Sequence, residues 1–186
     1  MHLTDAIQQR RSVKRFTDRA ITRADIEPLL AAAALAPNHR LTHPWRFYVL
    51  GPEARYAYGL ALGDRKARKM EDAEKARHTR ETVAQEHRAL PAMLAVAMVT
   101  NESAEIREED YAATMMAVQT LALAAVAAGL GTHIKSGAIM DDPAARAAVG
   151  VPEGERIVAV VSLGEPAEVP PAKPRTPATE HTIWVP

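Results

Sequence analysis

Arg10-Arg11-Ser12-Val13-Lys14-Arg15-Phe16 is the stretch on which the reading of this chain turns. It follows a short amphipathic run, Leu3 to Ile7, and packs four cations and a hydroxyl where a first helix would end. Cations suit a helix C-terminus because they offset the negative end of its dipole. Phosphate offers a second explanation. Guanidinium groups bind its oxygens in a two-pronged fork, and a hydroxyl adds one more bond. Taken alone, the segment reads as a charged helix end; the remainder of the chain shifts the reading toward phosphate.

The length of 186 residues fits one domain with a sizeable core. Lys+Arg 23 balances Asp+Glu 23, so no bulk charge attracts nucleic acid or an anionic membrane, and anion binding must be a local arrangement. There is no cysteine, which excludes disulfides, zinc–thiolate sites, cysteine nucleophiles and iron–sulfur clusters. The opening Met1-His2-Leu3-Thr4 lacks the pattern of a signal peptide. The most apolar run, Ala112 to Leu130, is interrupted by Thr114, Gln119, Thr120 and Gly129 and reads as too broken to span a bilayer. A cytoplasmic protein is expected.

Moving outward, residues 3–10 read as a helix and 11–17 as a connector. A second helix starts near Thr22 or Asp25 and continues through Leu29–Ala36; Pro28 fits if Asp25 is the cap and the proline sits in the first turn. Arg46–Leu50 reads as a strand and 53–62 as a helix. Asp64–Arg88, dense in both charge signs, reads as a solvated and partly helical excursion. Met93–Thr100 is an apolar strand, and Asp110–Gly129 a helix buried on most faces. Thr132–Lys135 is short and extended. Asp142-Pro143 opens a helix that Gly150 closes, and Arg156–Leu163 is a strong strand. A proline-rich arm, 166–186, ends in Thr182-Ile183-Trp184-Val185, whose strand character suggests pairing beyond its own body. The expected fold is α+β, a central mixed sheet flanked by helices in three layers. No G-x-G-x-x-G follows a strand and no P-loop motif exists.

Three further segments carry polar chemistry. Ala36-Pro37-Asn38-His39-Arg40-Leu41-Thr42-His43-Pro44-Trp45-Arg46-Phe47 runs from a helix end into a strand. Its histidines lack a carboxylate close in sequence and Pro44 breaks any helix, so a ligand-lining loop is a better reading than a metal site. Trp45 and Phe47 read as core. Gly129-Leu130-Gly131-Thr132-His133-Ile134-Lys135-Ser136-Gly137 lets backbone approach a flat ligand. Lys173 and Arg175 stand in a stiff proline-rich segment, poised to close over an anion.

In this order and spacing the segments resemble the FMN-dependent nitroreductases, particularly their small single-domain branch. The resemblance rests on R-R-S-V-K-R-F, A-P-N-H-R with P-W-R-F, the central helix ending in G-L-G-T-H, I-K-S-G, V-S-L-G-E-P and K-P-R. It implies a homodimer with FMN at the subunit interface and an arm embracing the partner. By the same resemblance, Arg10, Arg11 and Ser12 hold the FMN phosphate and ribityl chain, and Lys173 and Arg175 complete that site. Lys14 lies near the flavin N1–O2 edge, where it stabilises the charge of reduced flavin. His39 and His43 approach the flavin of the other subunit. Ile134, Lys135, Ser136 and Gly137 run along the ring near N5. The implied activity is ping-pong: NADPH or NADH delivers hydride and leaves, then a nitroaromatic, quinone or similar acceptor enters. Related flavin chemistry (dehydrogenation, dehalogenation or flavin fragmentation) and a non-catalytic FMN-binding protein are the alternatives. Ile134-Lys135 departs from the family, which often has an acidic residue or a tryptophan–arginine pair there.

Overall fold

A computed structural model describes all 186 residues. Six helices and four strands run in the order α1 (Leu3–Gln9), α2 (Arg23–Ala33), β1 (Trp45–Val49), α3 (Pro52–Ala67), α4 (Ala73–Arg88), β2 (Ala92–Val99), α5 (Ala104–Ala127), β3 (Gly131–Lys135), α6 (Pro143–Val149) and β4 (Glu155–Gly164). The sheet order is β1-β2-β4-β3. All three ladders are antiparallel, which corrects the expected mixed sheet. The parallel contribution is one isolated bridge, Ser12 to Thr132.

β2 alternates its side chains between two cores, as a strand buried on both faces must. Leu94, Val96 and Met98 join Ile26 and Leu29 of α2 and Val118 and Leu121 of α5. Met93 and Ala95 join Tyr58 of α3 and Val149 of α6. Helices therefore cover both sides of the sheet, giving three layers. Val96 pairs Ala159 while Ala97 pairs Ile157, so Val158 is an extra bulged residue and turns to the same core as Ala159.

Three elements differ from expectation. Thr22, not Asp25, caps α2 in a reciprocal box with Asp25, so Pro28 lies inside the helix. Pro28 and Ala24 are both exposed, and water can satisfy the carbonyl that the missing N–H leaves free. Asp64–Arg88 is no loose excursion: α3 runs on to Ala67, and α4 packs Val83, Ala84 and His87 inward as the second arm of a hairpin. α5, 24 residues long, is apolar and long enough to cross a membrane, contrary to the reading of its interruptions. Its apolarity serves the core here, because Ala113, Ala117, Val118, Leu121, Ala122 and Ala125 are buried. The final residues, 182–186, pair with no strand of their own chain.

Candidate active site

The connector 10–17 is laid along the ends of β3 and β4. Val13 N–H donates to Thr132 O at 2.9 Å, Thr17 N–H to Glu165 O at 2.9 Å, and Ala167 N–H to Arg15 O at 3.0 Å. Val13 is thereby buried while Ser12 and Lys14 face out. Close approach here depends on Gly131, where a Cβ would stand 2.7 Å from Val13 Cγ2.

A cavity of about 680 Å³ lies between this connector and the arm. Arg10, Arg11, Ser12 and Lys14 line one side, and Lys173 and Arg175 the other, so the structure brings these six together. With Arg15 the lining carries six cations, and its one carboxylate, Glu168, is paired with Arg15 at 3.2 Å. A chain of zero net charge has concentrated unpaired positive charge around one hollow. Arg11 differs from its neighbours: its Nη1 donates back to the Gln8 and Arg10 carbonyls, and its buried Nε has no partner. It closes the end of α1 as much as it faces the cavity. Guanidinium, ammonium and hydroxyl donors with so little acid nearby suit a phosphate, and on that count the residues fit FMN.

Ile134, Lys135, Ser136 and Gly137 do not line this cavity. Ile134 packs on the core; Ser136 and Gly137 are exposed, Gly137 with φ 116°. Lys135 turns toward α4, with Nζ 3.3 Å from Nε2 of the buried His87. Burial lowers the pKa of Lys135, and the charges of Lys66 and Lys14 lower it further. His133 is lowered by burial and then by Lys135 and Lys14. Lys14 is thus electrically linked to both groups.

His39 and His43 lie on a different surface, where His39 lines a hollow with Glu109 and Met116. Carboxylates far away in sequence reach this loop, although none lies close to it along the chain. His39 Nδ1 is 3.1 Å from Glu109, and Arg40 bridges Glu109 and Glu105 at 2.8 Å each. Thr42 donates to Asp110, and the Asn38 side-chain Oδ1 accepts from His43 N–H at 2.8 Å. These bonds hold Leu41 and His43 at φ 50° and 46°, a strained conformation for such residues. Trp45 is buried and Phe47 packs on the core. Glu105, Glu109 and His87 were missed from the sequence, since their partners lie on other elements.

The model of the nitroreductase family matches residues 7–165. The chain belongs to the nitroreductase family. It is 34% identical over 182 residues to a Bacillus subtilis protein named "Putative NAD(P)H nitroreductase YfhC", covering 96% of this chain and 92% of that one. The nitroreductase-like protein of Bacillus cereus has the same fold, with TM-score 0.86 and 30% identity over 100% of this chain and 96% of that one. A Desulfovibrio desulfuricans structure in complex with FMN matches at TM-score 0.74 and 26% identity, covering 99% and 96%. Membership makes this chain an oxidoreductase by class.

Proposed function

We propose that this nitroreductase is an FMN-dependent enzyme that takes hydride from NADPH or NADH and reduces nitroaromatic, quinone or similar acceptors in alternation. The observation that carries the reading is the cavity, where six cations face one already paired carboxylate. The relative in complex with FMN and the NAD(P)H named for the Bacillus subtilis relative support it.

Arg10, Ser12, Lys173 and Arg175 would hold the phosphate, with Arg11 bracing the helix end beside them. When bound, FMN would supply the two-electron chemistry that no side chain of a cysteine-free protein offers. Lys14 provides fixed positive charge for the negative charge that reduction creates, a stabilisation worth most away from bulk water. A nitro group, NAD(P)H and a proton give a nitroso group, NAD(P)⁺ and water; a quinone with the same reductant and proton gives a hydroquinone.

The proposal includes a homodimer, one domain per subunit, working in the cytoplasm. His39 and His43 stand away from their own chain's cavity, which accords with service at the partner's site. The exposed tail accords with an arm that reaches across.

A visible spectrum of the purified protein, before and after anaerobic NADPH or NADH, tests this. Flavin bands that bleach, followed by turnover of a nitroaromatic, are the expected result. Bands that persist would assign the fold to another flavin chemistry or to FMN binding without turnover. A colourless protein that takes up no added FMN would overturn the reading.

A further inference from the structure

Half of the cation-lined cavity belongs to a segment that is fastened only at its root. Glu165 is tied to Thr17 twice, main chain to main chain at 2.9 Å and through Thr17 Oγ1 to its carboxylate at 2.7 Å. Ala167 N–H then donates to Arg15 O at 3.0 Å, and the Glu168 carboxylate meets Arg15 Nη1 at 3.2 Å. After Glu168 no hydrogen bond or ion pair joins residues 169–186 to the rest of the chain. The bonds made there stay within the arm, Glu180 N–H to Pro177 O at 3.0 Å and Thr182 Oγ1 to Ala178 O at 2.7 Å. Every side chain from Val169 to Arg175 is exposed except that of Pro170, which is half-buried.

The sequence explains the missing bonds. Residues 170, 171, 174 and 177 are prolines, without an N–H to give. Their fixed φ also keeps the segment extended and stiff, so it moves as one piece about its root. The clasp at that root is weak, because Arg15 and Glu168 are 78% and 62% exposed and water screens the pair. Across the cavity the segment's Lys173 and Arg175 face Arg10 and Lys14, cations on both sides. The one carboxylate of the lining, Glu168, is taken by Arg15 and neutralises none of these four. Like charges push the two walls apart, and an anion between them draws both in.

We propose that residues 169–177 form an anion-operated strap, which swings clear about Ala167–Glu168 and shuts when Lys173 and Arg175 meet a phosphate monoester held by the opposite wall. Arg15 and Glu168 are its positioning residues. The strap makes the site select a flavin that carries a phosphate over riboflavin, which lacks one. That the phosphate is FMN's rests on the proposed function; the strap rests on the cavity and on the bonds of the arm.

Limited proteolysis of the protein dialysed free of flavin tests this. Trypsin can cut after Arg175, whereas Pro174 blocks the bond after Lys173, and no Lys or Arg follows Arg175, so loss of residues 176–186 by mass reports the strap. Inorganic phosphate or FMN should slow the cut at least about tenfold relative to chloride at equal ionic strength, as a ligand that favours one of two states does. Riboflavin should not. Equal cutting in chloride, phosphate and FMN would overturn the strap. So would resistance in all of them, which would mean that a partner subunit pins the arm whether or not an anion is bound. Glu168→Gln and Arg15→Gln should each speed FMN dissociation by about two- to fivefold, the worth of an exposed ion pair, and the double variant should go no further. Riboflavin dissociation should be unmoved, a split that general loosening of the fold would not produce. Slower FMN loss in Glu168→Gln would show that freeing Arg15 adds a phosphate ligand, and would overturn the clasp. The two readings fail separately. Phosphate protection in a protein that binds no flavin would keep the strap and lose the flavin chemistry. FMN that binds and turns over without protecting Arg175 would do the reverse.

Discussion

Arg10 and Arg11 are adjacent in sequence and divide their work. Both line the cavity, yet Arg11 spends its guanidinium on the carbonyls of Gln8 and Arg10 at the end of α1. Arg11→Ala should therefore lower stability by about 1–2 kcal/mol, the worth of charge-assisted bonds that are partly solvated. Arg10→Ala should leave the melting temperature of the flavin-free protein nearly unchanged and weaken FMN retention on dialysis. Thermal melts and bound-flavin spectra of the two variants check this, and an equal thermal loss in both would refute the division. His87 makes a second residue-scale prediction. Burial holds its pKa below the ordinary 6.5, with Lys135 and Lys66 adding to the depression against the Val83 bond and Glu86. The unfolded chain takes up this proton near 6.5, and the folded chain only at lower pH. The contribution is complete above about pH 6.5 and is lost as pH falls toward the folded value. His133, lowered for similar reasons, adds the same sign. Melts between about pH 8 and pH 5 should decline below 6.5, less steeply in His87→Gln. A variant with the same slope would remove His87 from the explanation.

At the scale of the element, the α3–α4 hairpin depends on two glycines one turn apart. A Cβ at Gly63 would lie 2.7 Å from Arg80 Cα, and one at Gly59 2.7 Å from Ala84 Cα. Both contacts are with backbone, which cannot swing aside. Gly63→Ala should cost about 1–3 kcal/mol, as overpacking does, although alanine favours an isolated helix. A denaturant midpoint that rises in this variant would show that the helices do not meet so closely. This hairpin also marks where the sequence stopped being legible. α4 buries little beyond Val83, Ala84 and His87, so its charged faces dominated the pattern and concealed the stripe. The paired glycines of α3 were the available signal. By contrast, β2 and β4 announced themselves through continuous apolar runs, and the cavity through local clusters of cations at 10–15 and 173–175. What stayed hidden needed distant partners. Glu109 reaches His39 across 70 residues, and Lys135 reaches His87 across 48. No spacing rule connects side chains so far apart.

On the scale of the whole molecule, the unusual surface is the tail. Ile183, Trp184 and Val185 are 87%, 90% and 85% exposed, three consecutive apolar side chains, whereas other strongly exposed ones such as Leu35 and Leu41 stand apart from one another. Burying such a group against another surface is worth roughly 25 cal/mol per Å², so a tryptophan and two β-branched residues provide a few kcal/mol to an interface. The preceding arm, Glu168 to Arg175, already lines the cavity, so the trio lies beyond the part that the phosphate site needs. The two functions can be separated by where the chain is cut. Deleting residues 182–186 should weaken the proposed homodimer and shift sedimentation toward monomer at low concentration, while the cavity lining remains. Deleting 173–186 should in addition release FMN, because Lys173 and Arg175 go with it. Sedimentation velocity and flavin absorbance on both truncations distinguish the outcomes. A shorter deletion that leaves the association state unchanged would show that the tail does not clasp a partner, and the exposed trio would then need another surface to cover it.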